Sequence, residues 1–371
     1  MKFVPALFVS ILLLASSAAE ALPRFASRSG AQCQSCHVDP SGAAMRQAFG
    51  VQYGREQLPV PGWSQDLGIE DFSNAIGNVL GVGADLRTLY FSQHSRSGGF
   101  NDAFFQMQGD LYLNFRVAKK VSLFLNKGLY SGFEAFALLS ILPSRGHIKV
   151  GKFIPDFGTK IDDHTTYIRT YTGFSPEFSR PELTGVEAGI APGGLTLTGG
   201  VYNATDGIGT GTGNRKSYLG RVEYMLSPGG DVHLSLGGNV FGNAALKAPV
   251  SGPADAMQTL VGAFGALSVG QFTLFGETDW VQSRGSATPV PRAFVSYVEA
   301  DYPVITGIDL KLAYDFYDPD LDLKTGTASR YSVGVEFFPL PGVEVRPIYR
   351  IVDGTVASLK NEFDMMLHLY F

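Results

Sequence analysis

The chain ends in a stretch that decides its fold, Glu362-Phe363-Asp364-Met365-Met366-Leu367-His368-Leu369-Tyr370-Phe371. Positions 362, 364 and 368 are polar, whereas the odd-numbered positions are apolar. An alternation with a period of two places the two sets of side chains on opposite faces of a β-strand. Residues 105–116 alternate in a similar way, with apolar side chains at most odd positions. These patterns predict an all-β fold, either a soluble sandwich or a membrane barrel.

The lengths of the links between strands decide between these two folds. Sixteen candidate strands are predicted at residues 79–91, 104–117, 121–129, 134–142, 147–153, 184–191, 195–203, 217–226, 232–241, 259–267, 272–281, 293–303, 308–316, 330–338, 343–351 and 362–371. The links after even-numbered strands are short, whereas most links after odd-numbered strands are long. Short turns at one end and long loops at the other are typical of an even-stranded outer-membrane barrel. A soluble sandwich has no reason to alternate its loop lengths, so the barrel is favoured.

The composition agrees with a barrel and excludes some functions. The 371 residues include 45 glycines, 27 phenylalanines and 16 tyrosines, and the formal charge is -5. A chain with this acidic balance carries no basic footprint for nucleic acid. Its terminal Phe371 is similar to the last residue of bacterial outer-membrane barrels. We therefore expect residues 76–371 to form a 16-stranded antiparallel transmembrane β-barrel, porin-like and in contact with outer-membrane lipid.

The N-terminus predicts export. Lys2 supplies a positive charge, residues 3–15 form an apolar run, and Ala19 and Ala21 satisfy the small-residue cleavage rule. We expect residues 1–21 to be a signal peptide and the mature chain to begin near Leu22. Its N-terminus would then lie in the periplasm.

Both cysteines of the chain lie in Cys33-Gln34-Ser35-Cys36-His37, which has the spacing of a c-type haem attachment motif. A thioredoxin-like redox pair would need a βαβ context, and a zinc site would need further clustered Cys or His residues. Neither context is evident near the motif, since the nearest other histidine is His94. The motif therefore predicts one covalent haem c on Cys33 and Cys36, with His37 as the proximal ligand of the iron.

Residues 22–75 are expected to form a monohaem cytochrome plug. Some fifty residues are too few to build a stable hydrophobic core alone, so the segment should lie inside the barrel or against its mouth. Phe25 is a candidate to pack on the porphyrin. Arg24 and Arg28 are candidates to pair with its propionates, because a guanidinium group suits carboxylates. Ordinary solvated arginines are the alternative interpretation.

The second ligand of the iron stays open at the level of sequence. Met45 lies eight residues past His37, and an extended chain of that length reaches ~26 Å, enough to pass round the haem edge. A thioether opposite an imidazole raises the reduction potential. His233 and His368 are alternative ligands, and an open position is a further alternative.

The longest link, residues 154–183, follows the fifth predicted strand. The corresponding loop of porins folds into the barrel, and we expect the same here. Its Asp162-Asp163-His164 cluster is interpreted as part of a hydrated loop rather than as a metal site. His164 ranks below Met45, His233 and His368 as a haem ligand.

A family resemblance rests on the stretch Pro23-Arg24-Phe25-Ala26, on Arg28 and Gly30, and on the C-x-x-C-H motif that follows. Joined to a porin-like barrel, this stretch resembles the fused monohaem cytochrome–porins of iron-oxidising bacteria. The resemblance implies a haem in an N-terminal plug that carries electrons from external Fe(II) inward to periplasmic cytochromes. It also implies the attachment and ligand roles of Cys33, Cys36 and His37.

Three functions are compatible with these predictions. The first is an electron conduit from an extracellular donor, with Fe(II) favoured, to periplasmic c-type cytochromes or another small redox carrier. The second is a conduit that reduces extracellular acceptors, and the third is a passive porin with a structural or sensory haem plug. The sequence shows no nucleophile–base constellation and no phosphate loop, so bond-making catalysis is not indicated.

Overall fold

The computed structural model describes residues 24–63, 73–94, 100–129, 132–161, 163–174, 182–203, 216–244, 257–284, 291–323, 325–354 and 361–371. The predicted signal peptide lies outside these residues. The helices within them are α1 (Arg24–Ser29), α2 (Cys33–Cys36), α3 (Ala48–Glu56) and α4 (Tyr167–Thr172). None of these described helices has the length and hydropathy needed to cross a membrane.

The strands form one antiparallel sheet that closes on itself. They are β1 (Ala75–Ile76), β2 (Leu80–His94), β3 (Phe100–Ala118), β4 (Val121–Gly128), β5 (Phe133–Leu142), β6 (Gly146–Phe153), β7 (Leu183–Ile190), β8 (Leu195–Asn203), β9 (Lys216–Leu226), β10 (Val232–Ala244), β11 (Met257–Val269), β12 (Phe272–Arg284), β13 (Arg292–Ile305), β14 (Ile308–Asp318), β15 (Ala328–Leu340), β16 (Val343–Gly354) and β17 (Asn361–Tyr370). Each strand from β2 onwards pairs with its neighbours in the sequence, and β17 pairs with β2 from Asn361↔His94 to Tyr370↔Asp85. The two-residue β1 pairs antiparallel with the first two residues of β2.

The closed ring of β2 to β17 confirms the predicted 16-stranded barrel. The observed bounds agree with the predicted ones to within a few residues. Most differences occur at the long-loop end, where β2, β10 and β12 continue three residues past the predicted boundary. Backbone pairing continues there although the side chains no longer alternate cleanly.

The two faces of the barrel differ in chemistry. Large apolar side chains point outward, and Leu312 on β14 is 59% exposed. Charged side chains point inward, and Glu336, Asp279 and Lys149 are fully buried. An apolar exterior around a polar interior is the arrangement of a transmembrane barrel, because lipid contacts the outer face.

Two segments occupy the lumen. Residues 24–60, here named the plug, enter from the short-turn end. There, Ser27 Oγ lies 2.8 Å from Ser268 Oγ on β11, and the amide of Val60 donates to the carbonyl of Phe338 on β15. The second segment belongs to the link between β6 and β7, and its described residues 154–161 and 163–174 are here named L3. It crosses the interior from β7, where the amide of Asp156 donates to Glu187, to β14, where the amide of Tyr167 donates to Asp315. The prediction that this loop folds into the barrel is confirmed.

Candidate functional site

The cysteine–histidine motif forms a single helical turn inside the barrel. Helix α2 consists of Cys33 to Cys36, and the amide of His37 donates to the carbonyl of Cys33 over 2.8 Å. Residues three apart on a helix lie on the same face, so the two sulfurs share one side of the turn. The described residues contain no disulfide, and burial raises the pKa of the Cys33 thiol, an effect that Glu223 reinforces.

The ring of His37 is oriented by the loop that follows it. Its Nδ1 lies 3.3 Å from the carbonyl oxygen of Ala44. A carbonyl only accepts, so Nδ1 donates and Nε2 carries the lone pair of the neutral ring. Burial lowers the pKa of His37 to about 4, and the charge of Arg46 acts in the same direction. The imidazole is therefore held neutral, which is the form that binds a metal ion.

The loop that supplies this carbonyl is strained. Ala43 and Ala44 have φ angles of 65° and 54°, in the left-handed region that costs an L-residue roughly 1–2 kcal/mol. Strain of this kind is retained where the surrounding structure requires the conformation, and it clusters at functional sites. Here the conformation brings the Ala44 carbonyl to the His37 ring.

A cavity separates the plug from L3 and contains the motif. Its volume is about 240 Å³. Cys33, Cys36 and His37 line it from the plug, whereas Ile161 and His164 line it from L3. The barrel wall contributes both apolar and charged side chains, Tyr112, Phe275, Phe338, Asp85, Arg87, Glu299, Glu344 and His368.

Buried ion pairs fix the plug to the wall. Nζ of Lys149 on β6 lies 3.1 Å from Asp39 of the plug and 2.7 Å from Glu187 on β7. The guanidinium of Arg24 donates to Glu336 over 2.6 Å and to Glu299 over 3.4 Å. The Lys149 contacts lie on one side of the barrel and the Arg24 contacts on the other, because β6 and β7 face β13 and β15. The plug is therefore held on both sides of the motif.

The predicted haem contacts lie at the cavity or beside it. Phe25 lines the cavity, and its ring lies 6.0 Å from Tyr53 and 6.1 Å from Phe338. Arg24 also lines the cavity, but its guanidinium contacts the carboxylates of the wall. Arg28 donates to Asp309 on β14 and to Thr273 on β12. Their contacts with haem propionates stay a prediction.

The three predicted candidates for the second iron ligand are placed differently. Met45 is 3% exposed, and its side chain packs against Gly81 of β2. A Cβ atom built on Gly81 would lie 2.5 Å from the Cε atom of Met45. His233 lies beside Gly30, and its Nδ1 is 2.8 Å from Ser227 Oγ. Of the three, only His368 lines the cavity.

His368 is held by two carboxylates within the cavity wall. Its Nδ1 lies 2.8 Å from Glu344 Oε2, and its Nε2 contacts Asp85. Both ring nitrogens are therefore engaged by side chains of neighbouring strands.

The structure adds cavity residues that sequence reasoning missed or ranked low. His164 of L3 is 5% exposed, and its Nε2 lies 3.3 Å from a guanidinium nitrogen of Arg87. Lys160 and Arg169 of L3 and Arg46 of the plug also line the cavity. Only the expectation that L3 folds inward pointed to His164, Lys160 and Arg169, because their spacing in the sequence forms no motif, and no sequence signal singled out Arg46. Asp162 of the predicted acidic cluster lies outside the described residues.

The residues of the cavity fit a covalently bound c-type haem. Two thiols on one helical turn, followed by a neutral histidine with an oriented Nδ1, form the donor set that such a haem requires. Apolar surface for a porphyrin is present in Phe25, Tyr53 and Phe338, and cationic side chains for its carboxylates are present in Arg46 and Lys160.

Comparison with known proteins finds the same barrel in solved structures. No family model matches the chain, and no curated protein matches it. The outer-membrane expressed OmpT of Vibrio cholerae aligns with a TM-score of 0.56 and 14% identity, over 81% of this chain and 100% of its own. The anion-selective porin from Comamonas acidovorans aligns with a TM-score of 0.55 and 12% identity, over 79% of this chain and 99% of its own. At these identities the likeness establishes a porin-like barrel fold and nothing further.

Proposed function

We propose that this chain is an outer-membrane electron conduit, with a covalent c-type haem that supplies one-electron chemistry inside the barrel. Cys33 and Cys36 would attach the group, and His37 would bind its iron. The electrons would pass between an extracellular donor, for which we favour Fe(II), and c-type cytochromes of the periplasm. The N-terminus would then lie on the periplasmic side.

The observation that carries this proposal is the position of the motif. The two thiols and His37 face a cavity enclosed by a ring of sixteen strands, between the plug and L3. A lipid bilayer insulates, and a soluble cytochrome cannot cross it. A redox group held within the membrane-spanning ring shortens the insulating distance from both sides.

The charges of the lumen also support the proposal. Arg24 of the plug contacts Glu336 of the wall, Lys149 of the wall contacts Asp39 of the plug, and both cations are nearly or fully buried. Removing one partner of such a buried pair leaves an uncompensated charge, so the plug is firmly held. An electron conduit requires a plug that stays in place, whereas a passive porin would need a lumen that is open to solutes.

The direction of transfer depends on reduction potentials, and the same geometry serves both directions. Inward transfer oxidises Fe(II) to Fe(III) outside and reduces the ferric haem of a periplasmic cytochrome by the same single electron. The stoichiometry is therefore one Fe(II) oxidised for each cytochrome reduced.

The test uses the haem-loaded protein in sealed liposomes. Ferric cytochrome c is trapped inside, and chelated Fe(II) is added outside. We expect the trapped cytochrome to become reduced, and retention of a small trapped fluorophore shows that the vesicles do not leak. A Cys33→Ala/Cys36→Ala double variant, assembled as a heat-modifiable barrel, should give only the background rate of protein-free vesicles. Equal rates with wild type and double variant, or no reduction with either, would contradict the proposal.

A further inference from the structure

We infer that His164 of L3 is the second protein ligand of the haem iron, in addition to His37. This inference rests on the proposed haem site and adds to it a ligand from a loop more than 120 residues away in the sequence. It assigns L3 a role in the chemistry of the site as well as in filling the lumen.

His164 and His37 approach one cavity from two different segments. Asp85 and Arg87 occupy successive inward positions on β2, and Arg87 is the further of the two from the short-turn end. His37 forms an antiparallel bridge with Arg46, and the neighbouring Met45 packs against Gly81 and Gly83, which lie nearer the short-turn end of β2 than Asp85 does. Arg87 donates to Nε2 of His164 over 3.3 Å. The plug histidine therefore lies toward the short-turn end and the L3 histidine toward the long-loop end, with the cavity between them.

The ring of His164 is in a form that binds iron. A guanidinium only donates, so the lone pair on Nε2 of His164 accepts from Arg87 in this structure. Iron would bind at the same lone pair and would therefore take the place of the Arg87 hydrogen bond. A neutral imidazole of this kind is a common ligand of iron in proteins.

The backbone that carries His164 is held on both sides. Asp163 accepts from Arg350 of β16 over 2.6 Å, and its Oδ1 also accepts from the amide and hydroxyl of Thr165. Thr165 Oγ1 lies 3.3 Å from Arg330 of β15, and the amide of Tyr167 donates to Asp315 over 2.7 Å. A ligand on a backbone restrained in this way keeps its position, which metal ligation requires.

The other candidates are less well placed to ligate. The side chain of Met45 packs against Gly81 and Gly83 of the wall, and Met45 does not appear among the described residues that line the cavity. Both ring nitrogens of His368 contact carboxylates. His233 lies at the short-turn end beside Gly30 and Ser227, and it is not among the described residues that line the cavity.

The experiment measures the ligand field of the purified, haem-loaded protein. Near-infrared magnetic circular dichroism of the ferric form distinguishes two imidazoles from an imidazole with a thioether. We expect the signature of two imidazoles in the wild type, high-spin iron in His164→Gln, and a thioether signature with a raised reduction potential in His164→Met. Met45→Leu and His233→Gln are the matched controls and should keep the wild-type spectrum.

The outcomes separate this inference from the proposed function. A thioether signature in the wild type, its loss in Met45→Leu, or an unchanged spectrum in His164→Gln would overturn the assignment of His164. If the variants fail to assemble, the spectrum of the wild-type protein alone still shows whether a thioether binds the iron. A wild-type protein without covalent haem would overturn the proposed function, and this inference with it.

Discussion

At the scale of single residues, one helical turn carries the chemistry that we propose for this protein. The backbone of Cys33 to His37 closes a turn that faces the cavity, and two residues with positive φ bring a carbonyl to His37 Nδ1. The carbonyl fixes the tautomer of the imidazole, and burial keeps the ring neutral. The site depends as much on residues 43–44 as on the motif itself.

Replacement of the cysteines tests the attachment chemistry. We expect Cys33→Ala/Cys36→Ala to lose covalent haem, because no thiol remains to bond the porphyrin. Each single variant should retain a smaller amount with one thioether bond. Haem staining of denaturing gels and pyridine haemochrome spectra measure these outcomes. Ser35→Ala is the control, since its amide and not its side chain is bonded within the turn. Full haem content in the double variant would contradict the assignment.

Gly50 tests the support of that turn by helix α3. A Cβ at this position would lie 2.2 Å from the carbonyl oxygen of Cys36, so α3 can approach α2 only without a side chain there. We expect Gly50→Ala to displace α3 and to lower the yield of haem-loaded protein several-fold. Gly54→Ala, in the same helix, would place its Cβ at an ordinary 3.4 Å from Tyr370 and should keep the wild-type yield. Equal yields from the two variants would contradict this account of the packing.

The sequence predicted the attachment residues but not the surroundings of the iron. The motif is local, so its spacing alone predicts the roles of Cys33, Cys36 and His37. His164 reaches the cavity only because L3 crosses the lumen, and Arg24 contacts carboxylates about 300 residues away. Met45 ranked first from its spacing, yet it packs against the wall because Gly81 leaves room there. The number of residues between two positions limits how far apart they can lie, but it does not determine where a side chain points.

At the scale of elements, the strands and the entry of L3 into the lumen were predictable, whereas the contacts that position the plug and L3 were not. Each strand has lipid on one face and a polar interior on the other, so its residues alternate between apolar and polar. This alternation predicts the position of each strand in the sequence. The plug and L3 have no such periodicity. Their positions depend on charge pairs with many strands, such as Asp163 with Arg350 and Asp39 with Lys149.

Lys149 tests whether ion pairs hold the plug. It is fully buried on β6 and joins Asp39 of the plug to Glu187 of β7. Lys149→Met leaves two buried carboxylates without their cation, and loss of one partner of a buried pair costs about 3–5 kcal/mol. We expect faster protease cleavage within residues 24–63 and a lower midpoint in the heat-modifiability assay. Lys119→Met, in an exposed short turn, should match the wild type, and so a similar loss in both variants would contradict the argument.

At the scale of the whole molecule, the fold of a porin encloses a lumen that its own chain occupies. We expect the wild-type protein to show an ion conductance in planar bilayers far below that of an open pore. Deletion of residues 24–63 should raise it, whereas Cys33→Ala, which keeps the plug, should not. A wild-type conductance equal to that of the deletion variant would favour a passive porin.

The central claim is that a covalent haem lies inside the barrel, between the plug and L3. An experimental structure of the protein, purified from cells that carry the cytochrome c maturation machinery, tests this most directly. We predict porphyrin density bonded to the sulfurs of Cys33 and Cys36, within the cavity and with its iron on His37 Nε2. Density for the haem outside the ring of strands, or a cavity closed by side chains with both thiols unmodified, would contradict the claim.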